Sequence, residues 1–173
     1  MSEQVDLLEH NAAADRNDLV DWIRRRFKAL GKDIDDRDAE YLIFLCGDLM
    51  TGLRGEIEKI GSYAKGSTVA RADIDAVADP VLEAKVFDMT DAVGGRDFKR
   101  AMVILSDLFS LREKPIMVLA ALGKNLRQLY TARLALESGK GAPALMEMWN
   151  MKTSWQANKL MQSARRCPLD WCR

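Results

Sequence analysis

Apolar residues return at every third or fourth position through most of the chain, the period of one buried face of an α-helix. The pattern sharpens at Asn17, where Leu19, Ile23, Phe27 and Leu30 recur with Trp22 alongside, and Gly31 supplies a C-terminal stop. Asp35 followed by Asp38 resembles a capping box with Asp in place of Glu, and predicts a helix from about 36 to 46 that Gly47 closes. Asp48 is the expected cap of the next helix, whose inner stripe reads Leu49, Leu53, Ile57 and Ile60. Gly52 and Gly55 each weaken that helix by roughly 1 kcal/mol relative to alanine. Close packing against a neighbouring helix is the expected reason for them. Residues 65–68 read as a turn, and 71–77 as a short helix carrying Ile74 and Val77.

Asp79-Pro80 breaks the pattern, because proline disfavours helix at the residue before it. Beyond it the spacing predicts a helix over 83–93, a turn at Gly94-Gly95, and a helix over 98–111 capped by Asp97. Pro115 suits the first turn of a long helix running to about 137, with Leu119, Leu122, Leu126 and Leu129 as its inner face. Residues 139–143 form a loop, and short helices starting at Pro143 and Ser154 finish the chain. No β-type alternation of useful length follows residue 16, and residues 1–16 look irregular. The expectation is an all-α protein of two consecutive helical bundles: a three-helix bundle over 17–79 and a second bundle over 80–173.

Composition narrows the function more than it names it. Hydrophobic content of 48% with 30% charged residues suits a water-soluble helical chain able to bury a core. Net charge is zero, from 26 basic and 26 acidic residues, which argues against DNA binding as the main role while leaving room for a local patch. The cysteines are Cys46, Cys167 and Cys172, an odd number without a CxxC pair, so a reducing cytoplasm fits better than a disulfide scaffold. Cys46 sits in the apolar run that starts at Tyr41 and reads as a buried small hydrophobe. No apolar run approaches a membrane span, and the first residues are too acidic and polar for a signal peptide.

Candidate chemistry is sparse. Gly61 to Ser67 offers the two glycines of a phosphate-binding loop without the lysine before its hydroxyl, and Gly139-Lys140-Gly141 offers a lysine without the hydroxyl or a preceding strand. His10 is the sole histidine and lies in a polar tail. Asp33, Asp35, Asp36 and Asp38 lack the glycine and closing glutamate of a calcium loop, and helix capping explains them. No catalytic residue, cofactor or metal site is expected. Arg24, Arg25 and Arg26, and Arg165 and Arg166 with Lys159, are the candidate phosphate contacts. Three consecutive arginines fan around a helix, so a solvated face with ion pairs is the plainer reading of the first run. Trp149, Met151, Trp155 and Trp171 are candidate interface residues, since aromatic and methionine side chains are enriched there; internal packing is the alternative. Met146 and Met148, with Met151, read as core filler or a helix-packing surface.

Taken in order, these pieces resemble the delta subunit of bacterial DNA polymerase III. Val86 to Leu108 (VFDMTDAVGGRDFKRAMVILSDL) carries the resemblance most strongly. Leu19 to Ile23 is similar to that family's L-x-x-W-I start of a helical lid domain, and Gly47-Asp48-Leu49 followed by Glu56 to Ile60 to its G-x-D-L…E-x-x-K-L stretch. Thr68-Val69 and Asp73-Ile74 match its I-T-x-x-D-I connector loosely, with the valine after the threonine. Arg127-Gln128-Leu129 and Lys159 to Arg166 resemble its F-R-x-L and K-L-x-x-Q-A-R-R-F helices, with Leu126 and Cys167 replacing the two aromatics. The resemblance implies a lid-like domain over 17–79 and a collar-like domain over 80–173, with 1–16 the trailing edge of an absent AAA+-like first domain or a tag-like tail. It also implies that the last collar helices are missing. The implied role is a structural and assembly part of the clamp loader in DNA replication, without chemistry of its own. The polymerase holoenzyme around it is the nucleotidyltransferase. Other loader subunits are the implied partners through the collar, with the sliding clamp reached through the first domain. The alternative is a helical DNA-binding module that contacts phosphates through its arginines.

Overall fold

The computed structural model describes residues 16–151 and 153–166, and every element named among them is an α-helix. His10, Cys167, Trp171 and Cys172 lie outside the described residues, as does the region 1–15. The chain forms two compact units, Met1–Asp79 and Pro80–Arg173.

In the first unit α1 (Arg16–Ala29), α2 (Asp36–Cys46) and α3 (Met50–Tyr63) pack on one another, and the short α4 (Arg71–Val77) packs on α3. Leu19, Ile23 and Phe27 of α1, Leu42 and Ile43 of α2, and Leu53, Ile57 and Ile60 of α3 are buried, together with Ile74 of α4. Asp35 caps α2 by accepting from the Asp38 amide at 2.6 Å. The Asp38 carboxylate does not complete the expected box; it pairs with Arg71 of α4, whose Nε donates to it at 2.7 Å. Arg71 also lies over the Tyr41 ring at 3.9 Å, and the Tyr41 hydroxyl donates to Asp75 at 2.5 Å. Two helices are thus joined by one guanidinium. A single parallel bridge, Asp33 to Thr68, closes the loops beside them, and Lys32 Nζ donates to the Ala64 and Gly66 carbonyls at 2.6 Å each. A cation there also meets the negative end of the α3 dipole.

Further expectations for this unit are corrected. Asp48 does not cap α3: Leu49 stands at the cap position without a side-chain hydrogen bond. Leu49 is accordingly exposed and Met50 takes its place in the core. Leu30, expected on the inner face of α1, is exposed past the helix end. Gly52 and Gly55 face open space, so helix packing does not account for them.

In the second unit α5 (Leu82–Gly94) lies between α6 (Phe98–Ser110) and α7 (Pro115–Glu137), packing on both. Val86, Met89 and Ala92 of α5 meet Ala101 and Leu108 of α6 and Val118 of α7. The turn before α6 is made by Arg96, in the left-handed conformation at φ 62°, rather than by a glycine. Asp97 then caps α6 through the Arg100 amide at 3.0 Å. α8 (Ala142–Trp149) ends on left-handed Asn150, and α9 (Ser154–Arg166) packs on α7 and α8.

Candidate partner interface

The long helix α7 carries the most informative surface. It buries Val118, Asn125, Gln128, Leu129, Ala132 and Ala135. At 3.6 residues per turn, Ile116, Leu119, Leu126, Tyr130 and Leu134 fall on the opposite side, and all five are exposed. Ile116 and Leu119 are 68% and 62% exposed, whereas the amides Asn125 and Gln128 are 7% and 4% exposed. The expected inner face is therefore corrected: Leu129 is buried and Leu122 half-buried, but Leu119 and Leu126 point outward. A helix apolar on two sides belongs in an interior, so its outward stripe wants a covering surface. α6 repeats the feature, burying Ala101 and Leu108 while exposing Phe98, Met102 and Phe109.

The buried amide has a defined partner. Thr90 Oγ1 on α5 donates to Asn125 Oδ1 at 2.6 Å, and the Phe87 carbonyl of its own helix lies 2.9 Å from the same hydroxyl. One turn-edge away, Asp91 accepts from Ser163 Oγ at 2.6 Å, lies 3.5 Å from Lys159 Nζ, and pairs with Arg166. These contacts fasten α5 to α7 and α9 through polar groups, which fixes the register of the bundle more narrowly than leucines would.

The residues singled out by sequence fall into different places. Met151 is buried, and Trp149 and Trp155 are half-buried, so none of the three forms an outward patch comparable to that of α7. The Trp149 indole N–H is buried without a hydrogen-bond partner among the described residues. Met148 is exposed and Met146 half-buried. Arg24 pairs with Asp36 at 3.1 Å, and Arg26 lies over the Trp22 ring at 5.3 Å. Arg25 and Arg165 are exposed, while Arg166 is engaged by Asp91. Within the first unit the arginine run is interleaved with carboxylates: the groove along α1 mixes Arg24, Arg25 and Lys28 with Asp18, Asp21 and Asp33. Sequence reasoning missed the outward stripe of α7. The signal was present as leucines spaced around more than one helical face, with amides between them.

Cys46 is half-buried, and burial pushes its thiol up to about 12, with Glu56 and Asp79 adding to the shift. Among the described residues no three His, Cys, Asp or Glu side chains gather to hold a metal ion. No described helix is long and apolar enough to cross a membrane.

The described residues thus form helices in two units, with polar fastening inside the second and an uncovered apolar stripe on α7. Residues 83–170 match the family described as DNA polymerase III delta subunit, C-terminal domain, and the chain belongs to that family. It is 27% identical over 135 residues to the probable DNA polymerase III subunit delta of Aquifex aeolicus (strain VF5), covering 77% of this chain and 39% of that protein. The fold is similar to that of the Bacillus subtilis DNA clamp loader delta protein YqeN, with a TM-score of 0.68 and 19% identity. That match covers 92% of this chain and 47% of the other. The chain thus spans less than half the length of either relative.

Proposed function

We propose that this chain is the structural and assembly portion of a clamp-loader delta subunit of DNA polymerase III, helping to load the sliding clamp during DNA replication. The second unit is collar-like and docks other loader subunits; the first is lid-like and passes on orientation by rigid-body rotation near Asp79-Pro80. In this reading the chain does no chemistry of its own, works in the cytoplasm, and leaves nucleotidyl transfer to the surrounding holoenzyme. The observation that carries the reading is the outward stripe Ile116, Leu119, Leu126, Tyr130 and Leu134 on α7, within the region that matches the family. Aromatic and aliphatic residues uncovered on a helix that is already packed on its other side are what an assembly interface requires.

The test is capture of purified loader subunits, of the sliding clamp and of duplex DNA by the immobilised chain. Capture of loader subunits without the clamp is the expected result. Capture of duplex DNA in place of the subunits, weakening steeply with salt, would replace this reading with phosphate binding through Arg25 and Arg165.

A further inference from the structure

Residues 78–81 carry the chain from α4 to α5. Ala78 still belongs to α4, because its amide donates to the Ile74 carbonyl at 2.9 Å. Asp79 is held twice by α3: its amide donates to Glu56 Oε2 at 3.1 Å, and its carboxylate accepts from Lys59 Nζ at 2.7 Å. Glu56 and Lys59 also bond each other at 3.0 Å. The Glu56 side chain is only 16% exposed while that of Asp79 is 87% exposed, so the anchor is the inner group and the tethered residue the outer one. Next comes Pro80, whose ring restricts its own φ, and Val81 already serves as the cap position of α5.

We propose that Glu56 and Lys59 form a latch that holds the last residue of the first unit on α3, so that rotation between the units pivots at Pro80 and Val81 and nowhere earlier in the chain. Each contact alone would be a weak surface pair. Their convergence on one residue, through its backbone as well as its side chain, makes them a tether. Two neighbouring groups register the same cluster: the hydrogen bond to Asp79 holds the Lys59 ammonium above its usual range, and the Cys46 thiol senses Glu56 and Asp79. A latch of this kind confines the hinge to two residues and opens when charge is screened.

The inference rests on the rotation near Asp79-Pro80 proposed above but needs no partner, so loss of subunit capture and failure of the latch are separate outcomes. The experiment compares the parent chain with Lys59→Met and Glu56→Ala, and with Arg54→Met as a control. The control breaks the exposed Arg54–Glu58 pair on the same helix and leaves the latch intact. Amide exchange at Asp79 reads the latch, and nitrogen-15 relaxation reads the tumbling of each unit. The latch variants are expected to exchange the Asp79 amide about tenfold faster and to tumble as two less coupled bodies. The control should match the parent. Unchanged exchange would show that these side chains do not hold Asp79. Faster exchange with unchanged tumbling would show that holding it does not restrain the joint. Either result overturns the proposal.

Discussion

Gly52 and Gly55 stand on α3 where an added Cβ would meet nothing within 4 Å. Neither has a positive φ, so neither conformation nor contact asks for glycine. Gly52→Ala and Gly55→Ala should each raise stability by about 1 kcal/mol in urea unfolding followed by circular dichroism. The close approach that sequence spacing suggested for them occurs at Gly61 instead, where a Cβ would sit 2.8 Å from Leu30 Cδ1. Spacing shows that a glycine is present; which of its two uses applies depends on what lies across the gap. Cys46 is a second case, since its place in an apolar run was legible but its thiol chemistry was not. Burial and two nearby carboxylates push it from 9.0 to about 12, so at about pH 8 it should hold on the order of a thousandfold less thiolate than an ordinary cysteine. Alkylation at that pH, read at the Cys46 peptide by mass spectrometry, should be slow and should accelerate only as alkali is approached. A rate typical of a free thiol would show that the site is not buried as described.

Helix existence was legible because it rests on period and caps. Asp35 and Asp97 both cap the helices expected of them, and Pro115 opens the long one. Asp48 failed as a cap because α3 starts two residues later, which put Leu49 outside and Met50 inside. Tertiary pairs were not legible at all. Arg71 reads as an ordinary helix-start cation, yet it bonds Asp38 and stacks on Tyr41, joining α4 to α2. Arg71→Ala should cost roughly 2 kcal/mol in urea unfolding, because it leaves the mostly buried Asp38 carboxylate without its charged partner. An effect below about 0.5 kcal/mol would reduce the pair to surface decoration. On α7 the period was right and the face wrong. Its leucines run around much of the helix, and the buried side is chosen by Asn125 reaching Thr90, a pairing across 35 positions that no local pattern contains.

At the scale of the whole molecule, composition excluded more than it chose: zero net charge pointed away from DNA binding as the main role. The family was legible from the order of short, individually weak motifs, because packing residues keep their spacing when the fold is kept. The outward stripe of α7 was not legible, since Trp149, Met151 and Trp155 were the guide and the folded chain buries Met151 and half-buries the two tryptophans. Leu119 and Leu126 decide between an assembly face and incidental exposure. If the stripe exists to be covered by a loader subunit, Leu119→Glu with Leu126→Glu should leave folding stability within about 0.5 kcal/mol per site, as exposed substitutions do. The same double variant should weaken capture of that subunit at least about tenfold, since burying two carboxylates in an apolar contact is costly. Leu129→Ala, on the buried side, should behave in the reverse sense, losing about 2–5 kcal/mol of stability while the folded fraction still binds. Titrating both variants against a loader subunit, with unfolding curves on the same samples, separates the two faces. Equal binding by the double-glutamate variant and the parent would move the interface off α7.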